Sequence, residues 1–231
     1  MPKVPFNSDT YPYERVQPGY NRMEGAEEIP LKIIRYLLDL PDSAGYIPVD
    51  DNSRPRVRLA KYLWYEGVNP LNNPLPTPTQ KLSLLFDGEN PEVNTDEQKR
   101  KHPKGYRLFP QIYWGPVELD AQVSLKCYMG RTVPVTDLDD RLGIYFQIMV
   151  NSNLEATTRT DAYSRAFAIE TDLISALHGV NIAGVGTIVF SRRNHIDDGS
   201  MPLHDNGTHV GRQLHMSIQW MEGNNECVVQ G

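Results

Sequence analysis

Cysteine is nearly absent from this chain: Cys127 and Cys227 are the only two among 231 residues. That excludes a disulfide framework and fits a reducing compartment. Long apolar runs are missing too. Leu82–Phe86 and Ile144–Val150 are the longest, far short of the ~18 residues that cross a bilayer, so no membrane partner is expected. The first thirty residues hold no apolar stretch of the secretory kind. Positive charge is in deficit, with 23 basic against 29 acidic side chains and a net charge of −6. A dedicated nucleic-acid reader is normally basic, so that class is disfavoured. What is present is a core: Leu, Ile, Val and Phe number 57 of 231, above the ~20% level below which chains tend to disorder. The class left standing is soluble, intracellular and mildly acidic.

The 18 prolines and 17 glycines predict many turns and extended stretches rather than long helices. Residues 1–25 show no helical or strand period and read as an extended N-terminal arm, with Tyr11, Tyr13 and Tyr20 as anchors. Residues 26–231 read as a single α+β domain. A first helix follows Ile29 and Pro30, carries Ile33, Ile34, Leu37 and Leu38 on one stripe, and stops at Pro41. A second is expected from a Ser53 cap to Glu66, closed by Gly67. Residues 68–105 read as a long arm or loop. Pro70, Pro74, Pro76 and Pro78 favour extended chain there, and the apolar run ending at Phe86 needs a partner surface. With Tyr11 and Tyr13 of the N-terminal arm, Pro74, Leu75, Leu82, Leu84, Leu85 and Phe86 are therefore candidate subunit-interface residues.

From residue 106 the pattern turns to strands. Residues 106–114 suit a sheet edge because of Pro110. Residues 118–128 alternate cleanly, with Leu119, Ala121, Val123, Leu125 and Cys127 facing in and Asp120, Gln122, Ser124, Lys126 and Tyr128 facing water. A connection then leads to a strand at 142–151. A helix is predicted over 161–178, capped by Thr160 or Asp161, with Tyr163, Phe167, Ile169, Leu173, Ile174 and Leu177 on its apolar face. Strands at 185–191 and 212–221 flank a polar loop. The fold class is α+β: a mainly antiparallel sheet packed by an amphipathic helix, with extended N-terminal and proline-rich arms.

Three constellations bear on chemistry. His195, Asp197, Asp198, His204, Asp205, His209 and His215 crowd into residues 195–215, and imidazole with carboxylate can bind zinc or iron. The spacing matches no helix turn or tight hairpin that aims pairs at one ion, so a solvated turn-rich loop is the preferred reading. His195, His204 and His209 are kept as metal candidates for a metal-dependent enzyme. No GxSxG elbow occurs, and Cys127 falls on an apolar strand face as a buried structural thiol. Lys99, Arg100, Lys101, Lys104 and Arg107 form a basic run behind an acidic one, which reads as a solvated loop or an inter-subunit salt-bridging strip. No cofactor and no catalyst is expected.

The stretches RLFPQIYWG, LDAQVSLKCYMG, LGIYFQIMVNSN, TDAYSRAFAIETDLISALHG and RQLHMSIQWME, within residues 106–222, resemble the layout of tail terminator (tail-completion, neck) proteins of tailed bacteriophages. The resemblance implies a non-enzymatic virion structural protein: a ring subunit, hexameric by family similarity, that caps the tail tube. Its implied partners are copies of itself, the tail tube, the sheath and the head connector. DNA passes the lumen without specific binding, and assembly takes place in the host cytoplasm. Other virion roles (head completion or baseplate), the metal-dependent enzyme, and a cytosolic adaptor acting through the proline-rich segment are the competing readings.

Overall fold

The structure, a computed structural model, describes residues 26–42, 45–88, 96–112, 121–136, 139–157, 164–191, 198–205 and 208–221. The expected arm over 1–25, with Tyr11 and Tyr13, lies outside the described residues. Among those described, no helix is long and apolar enough to cross a membrane.

Helix α1 spans Ile29–Leu37 and opens with Pro30 in its first turn, where a missing N–H leaves no bond unmade. Its predicted stripe goes into the core: Ile33, Ile34, Leu37 and Leu38 are all buried. Helix α2, Pro55–Trp64, starts at Pro55 rather than from a Ser53 cap. The Ser53 hydroxyl instead donates to Asp51 at 2.8 Å, closing the turn ahead of the helix.

The proline-rich stretch differs from the extended arm predicted for it. Pro70 opens a 3-10 turn, Pro70–Asn72, and Pro78 opens helix α3, Pro78–Leu82. A proline fixes φ near the helical value, so at a first position it starts a turn as readily as it extends a chain. Thr77 and Gln80 complete a reciprocal capping box on α3. Beyond it, Leu84 and Phe86 are buried, and the backbone at Leu85 bridges in parallel to Leu108. Helix α4 follows at Asp96–Lys101.

The sheet is built on a long hairpin, β2 (Val123–Thr136) with β3 (Asp139–Asn151). Residues 131–136 continue the strand where a connection was expected. Pro134 is tolerated because β1 (Leu108–Phe109) covers the outer side of β2 only at Leu125 and Lys126. After α5 (Ser152–Thr157) and α6 (Arg165–Leu177), a tight hairpin forms β4 (Val180–Ile182) and β5 (Gly186–Val189). Strand β6 (Gly199–Asp205) occupies part of the predicted loop and pairs with β7 (His209–Met221). The order is β1-β2-β3-β7-β5-β4, with β6 also on β7; among the strands of the described residues β1–β2 is the parallel pair and the others are antiparallel. The architecture is α+β with a mainly antiparallel sheet.

Helices α1, α2 and α6 cover one face of that sheet. Val123, Leu125 and Cys127 of β2, Ile144, Phe146 and Ile148 of β3, and Leu214, Met216 and Ile218 of β7 meet Ile169, Leu173 and Leu177 of α6 there. Each such side chain stabilises the fold by about 1.5–3 kcal/mol on full burial. Helix α6 has a Ser164 cap whose hydroxyl accepts the Phe167 N–H at 3.0 Å; the caps expected at Thr160 or Asp161, and Tyr163, lie outside the described residues. The Glu155 carboxylate accepts the Arg165 N–H at 2.9 Å, a negative charge at the positive end of the helix. Phe167, assigned to the apolar face, is exposed. Gly179 (φ +76°) ends the helix in the left-handed conformation, as its position suggested.

Candidate functional site

The second sheet face departs from the wet face predicted for β2. Ser124 and Lys126 are buried there, along with Met149 and Ser217. Tyr128, Tyr145 and His215 fall in one cross-strand row. The two tyrosine rings lie 5.6 Å apart, and the His215 ring meets Tyr145 edge-on at 4.1 Å. Gln213 donates to the Tyr128 hydroxyl at 3.2 Å. Burial lowers the His215 pKa, favouring the neutral ring. The Tyr145 ring also lies across Gly130, where any Cβ would overlap it.

Among the described residues the histidines are not brought together into a metal centre. His195 lies outside the described residues. His204 sits in β6 opposite Val210, and Asp205 opposite His209. His209 is buried, with Nε2 3.1 Å from the Ala121 carbonyl oxygen and Nδ1 3.2 Å from Thr208 Oγ1. Both of its ring nitrogens are thus engaged, and the Nε2 contact ties β7 to the residues just ahead of β2. Among the described residues no group of three or more His, Cys, Asp and Glu is placed to hold a metal ion. Cys127 is the buried thiol expected of it, and burial raises its pKa well above the ordinary value, away from the nucleophilic thiolate.

The interface candidates divide. Leu84 and Phe86 are buried inside the chain, Leu85 packs against the core, and Leu75 is half-buried. Pro74 and Leu82 stay exposed. Phe86 meets Tyr106 edge-on at 5.1 Å and Phe109 at 5.6 Å in a small second cluster. The greasy run therefore finds much of its partner surface at home.

What pattern reading missed is a set of buried cations at helix ends. Arg165 and Arg107 converge on the C-terminal turn of α2. Arg165 donates to the carbonyls of Tyr65 at 2.7 Å and Gly67 at 2.8 Å. Arg107 donates to the Leu63 carbonyl and to Glu66. The last carbonyls of a helix lack intrahelical donors and carry partial negative charge, which a guanidinium answers on both counts. Burial lowers the Arg165 pKa to about 10, and the Arg107 charge adds to that; it stays protonated at neutral pH.

Helix α1 ends the same way. Asp39 takes a left-handed φ of +50° without being glycine. Lys81 donates to the Asp39 carbonyl at 3.0 Å, and Arg56 pairs with its carboxylate at 2.9 Å while reaching the Tyr36 carbonyl at 3.1 Å. Between α2 and α6, Arg58 forks onto Asp172 at 2.5 and 2.9 Å. Burial raises the Asp172 pKa, with Arg58 opposing it. These groups bear charge, but each is directed at backbone or at an internal counter-ion. The only signal available in sequence was an arginine next to an expected helix cap, and exposure is the usual fate of such a residue.

A family model named YomW matches residues 57–218. The chain belongs to the YomW family. The YomW match takes in α2 from Val57 onward, both arginines at its end, the Arg58–Asp172 pair, strands β1 to β6 and most of β7. Asp39 and α1 fall before it. YomW is the name of a phage-derived protein. No curated protein and no solved structure matches the chain.

Proposed function

We propose that this chain is a non-enzymatic structural protein of a phage particle, a neck or tail-terminator ring subunit that closes the tail tube and joins tail to head. The observation that carries the reading is the YomW match over residues 57–218, which spans the sheet and helix on which the likeness to tail terminators rests. The α+β layout supports it, with one sheet face closed by helices and the other lined by Tyr128, Tyr145 and His215. Support also comes from the charged residues. Those at the buried sites bind helix termini and each other, so they are tied up in holding the fold rather than poised for acid–base work. His209, the metal candidate whose side chain is described, has both ring nitrogens committed.

In this role the subunit assembles head-to-tail with copies of itself into a closed hexamer, beside tube, sheath and head-connector proteins. A ring with net negative subunits repels DNA passing through its lumen and so does not trap it. Two measurements test the reading. Native mass spectrometry of the full chain is expected to show a ring, and cryo-microscopy of particles to place its density at the head–tail junction. Absence of the chain from purified particles overturns the proposal.

A further inference from the structure

Helix α4 lies on the surface. Asp96, Glu97, Lys99, Arg100 and Lys101 are exposed, as are Pro103, Lys104 and Gly105 beyond them. Among the described residues of this stretch the one buried side chain is that of His102, 7% exposed. Its ring lies against Tyr106, with centroids 4.3 Å apart, and its Nδ1 is 2.7 Å from the Ser83 carbonyl oxygen. A carbonyl only accepts, so Nδ1 carries a proton whenever this bond is made. The neutral ring therefore has its bare lone pair on Nε2.

What Nε2 faces is a carboxylate. It is buried, lies 3.4 Å from Asp87 Oδ2, and makes no hydrogen bond among the described residues. Asp87 gathers the contacts of this corner: Oδ1 accepts the Tyr106 hydroxyl at 2.8 Å, and Oδ2 pairs with Lys101 at 2.9 Å. With the ring neutral, lone pair and carboxylate oppose each other and a buried acceptor is left unsatisfied. A second proton, with a small tilt of the ring, turns the same contact into a charge-assisted N–H···O bond. Lys101 shares the carboxylate and opposes that proton by like charge. The next charges along the chain, Lys104 and Arg107, both pair with Glu66.

We propose that His102 is a proton-operated latch for α4. The doubly protonated ring ties the helix to both Ser83 and Asp87; the neutral ring keeps the Ser83 bond alone. Because the second bond needs the charged ring, the latch is closed at the acid end of the imidazole range, about pH 5–8, and loosens as pH rises through it. The inference is independent of the ring-subunit reading, since it concerns contacts within one chain.

Trypsin reads the latch, because Lys99, Arg100 and Lys101 are its cleavage sites and a folded segment is cut from its opened form. The full chain is compared with His102→Gln, Asp87→Asn and the variant carrying both, at about pH 6 and about pH 8.5. Cuts within residues 96–104 are identified by mass spectrometry, and ratios between proteins at one pH cancel the protease's own pH profile. Gln keeps an N–H for the Ser83 carbonyl but takes up no proton. At about pH 6 the effects of the two changes on cutting rate are expected to be coupled about three-fold, as for partners in one partly exposed ion pair. At about pH 8.5 the coupling is expected to vanish. A coupling no larger at about pH 6 than at about pH 8.5 overturns the latch. Should a variant fail to fold, nitrogen NMR of the wild-type imidazole decides alone. Protons on both ring nitrogens of His102 at about pH 6 and on Nδ1 only at about pH 8.5 support the latch, and any other pattern overturns it.

Discussion

Arg165 shows how one residue can hold a helix end. Its fork supplies donors to the carbonyls at Tyr65 and Gly67, for which the described residues offer no backbone N–H. Replacing it with Met leaves those acceptors bare, and the expected loss is about 3 kcal/mol in urea unfolding, the usual scale for breaking a buried charged hydrogen-bond set. Lys at the same site is expected to recover under half of that, because a single ammonium cannot span two carbonyls as a planar fork does. Two glycines give a paired expectation. A Cβ on Gly211 would overlap the Ile148 carbonyl oxygen and lie 2.7 Å from Met149 Sδ, whereas the atoms nearest to one on Gly130 belong to the Tyr145 ring. Backbone cannot rotate aside and a ring can. Gly211→Ala is therefore expected to cost about 3 kcal/mol and Gly130→Ala about 1 kcal/mol, read from the same denaturant midpoints. Equal costs would show that the β3–β7 spacing yields as easily as a side chain.

At the scale of elements, α1, α2, α6 and the paired strands β2, β3 and β7 were legible because their apolar periods are long. The stripe Ile33, Ile34, Leu37, Leu38 and the alternation through Cys127 each point to one buried face. Strands β4 and β6 were not legible. The first is three residues long, and the second, with Pro202 and two charged or polar ends, reads as loop until β7 supplies its partner. The proline-rich segment was misread because prolines mark starts as well as breaks. The helix-terminal cations escaped because burial of a lysine depends on carbonyls brought near by the fold, not on neighbours in sequence. Lys61 is such a case: it is buried and joins α2 to Asp50, Asn52 and the Leu71 carbonyl. The bond from Lys61 holds the Asp50 carboxylate below the usual range. A folded-state value below the unfolded one means stability present above about pH 3.9 and lost as pH falls through the folded value. Because Asp50 is 43% exposed, screening limits its contribution. Asp50→Asn is expected to lower stability at pH 7 by about 1 kcal/mol, with the difference from wild type vanishing at about pH 2. A difference that is constant with pH would assign the effect to the Leu75 hydrogen bond instead of the charge.

For the whole molecule, the question is whether helices and sheet open together. One apolar cluster runs from Ile29 in α1 to Ile218 in β7, so the first helix, the helices and strands between, and the last strand share one core. Cys127 lies inside it on β2, fully buried beneath the helical layer. Access to its sulfur requires the helices to leave the sheet. In a Cys227→Ala variant, the Cys127 thiol then reports on that separation. Its modification by a thiol reagent, in the fast-reclosing regime, is expected to give an opening free energy equal to that from urea unfolding, and to fall with urea at the full global slope. A fit with a shallower slope and a smaller free energy would mean that the α1–α2 layer lifts off as a separate unit. In that case Arg165, which joins α6 to the end of α2, is where the two units part, and Arg165→Met would accelerate labelling far more than it lowers global stability. Coincidence of the two free energies, in wild type and in Arg165→Met alike, is the result expected of a core in which the helix-end arginines and the sheet form one cooperative body.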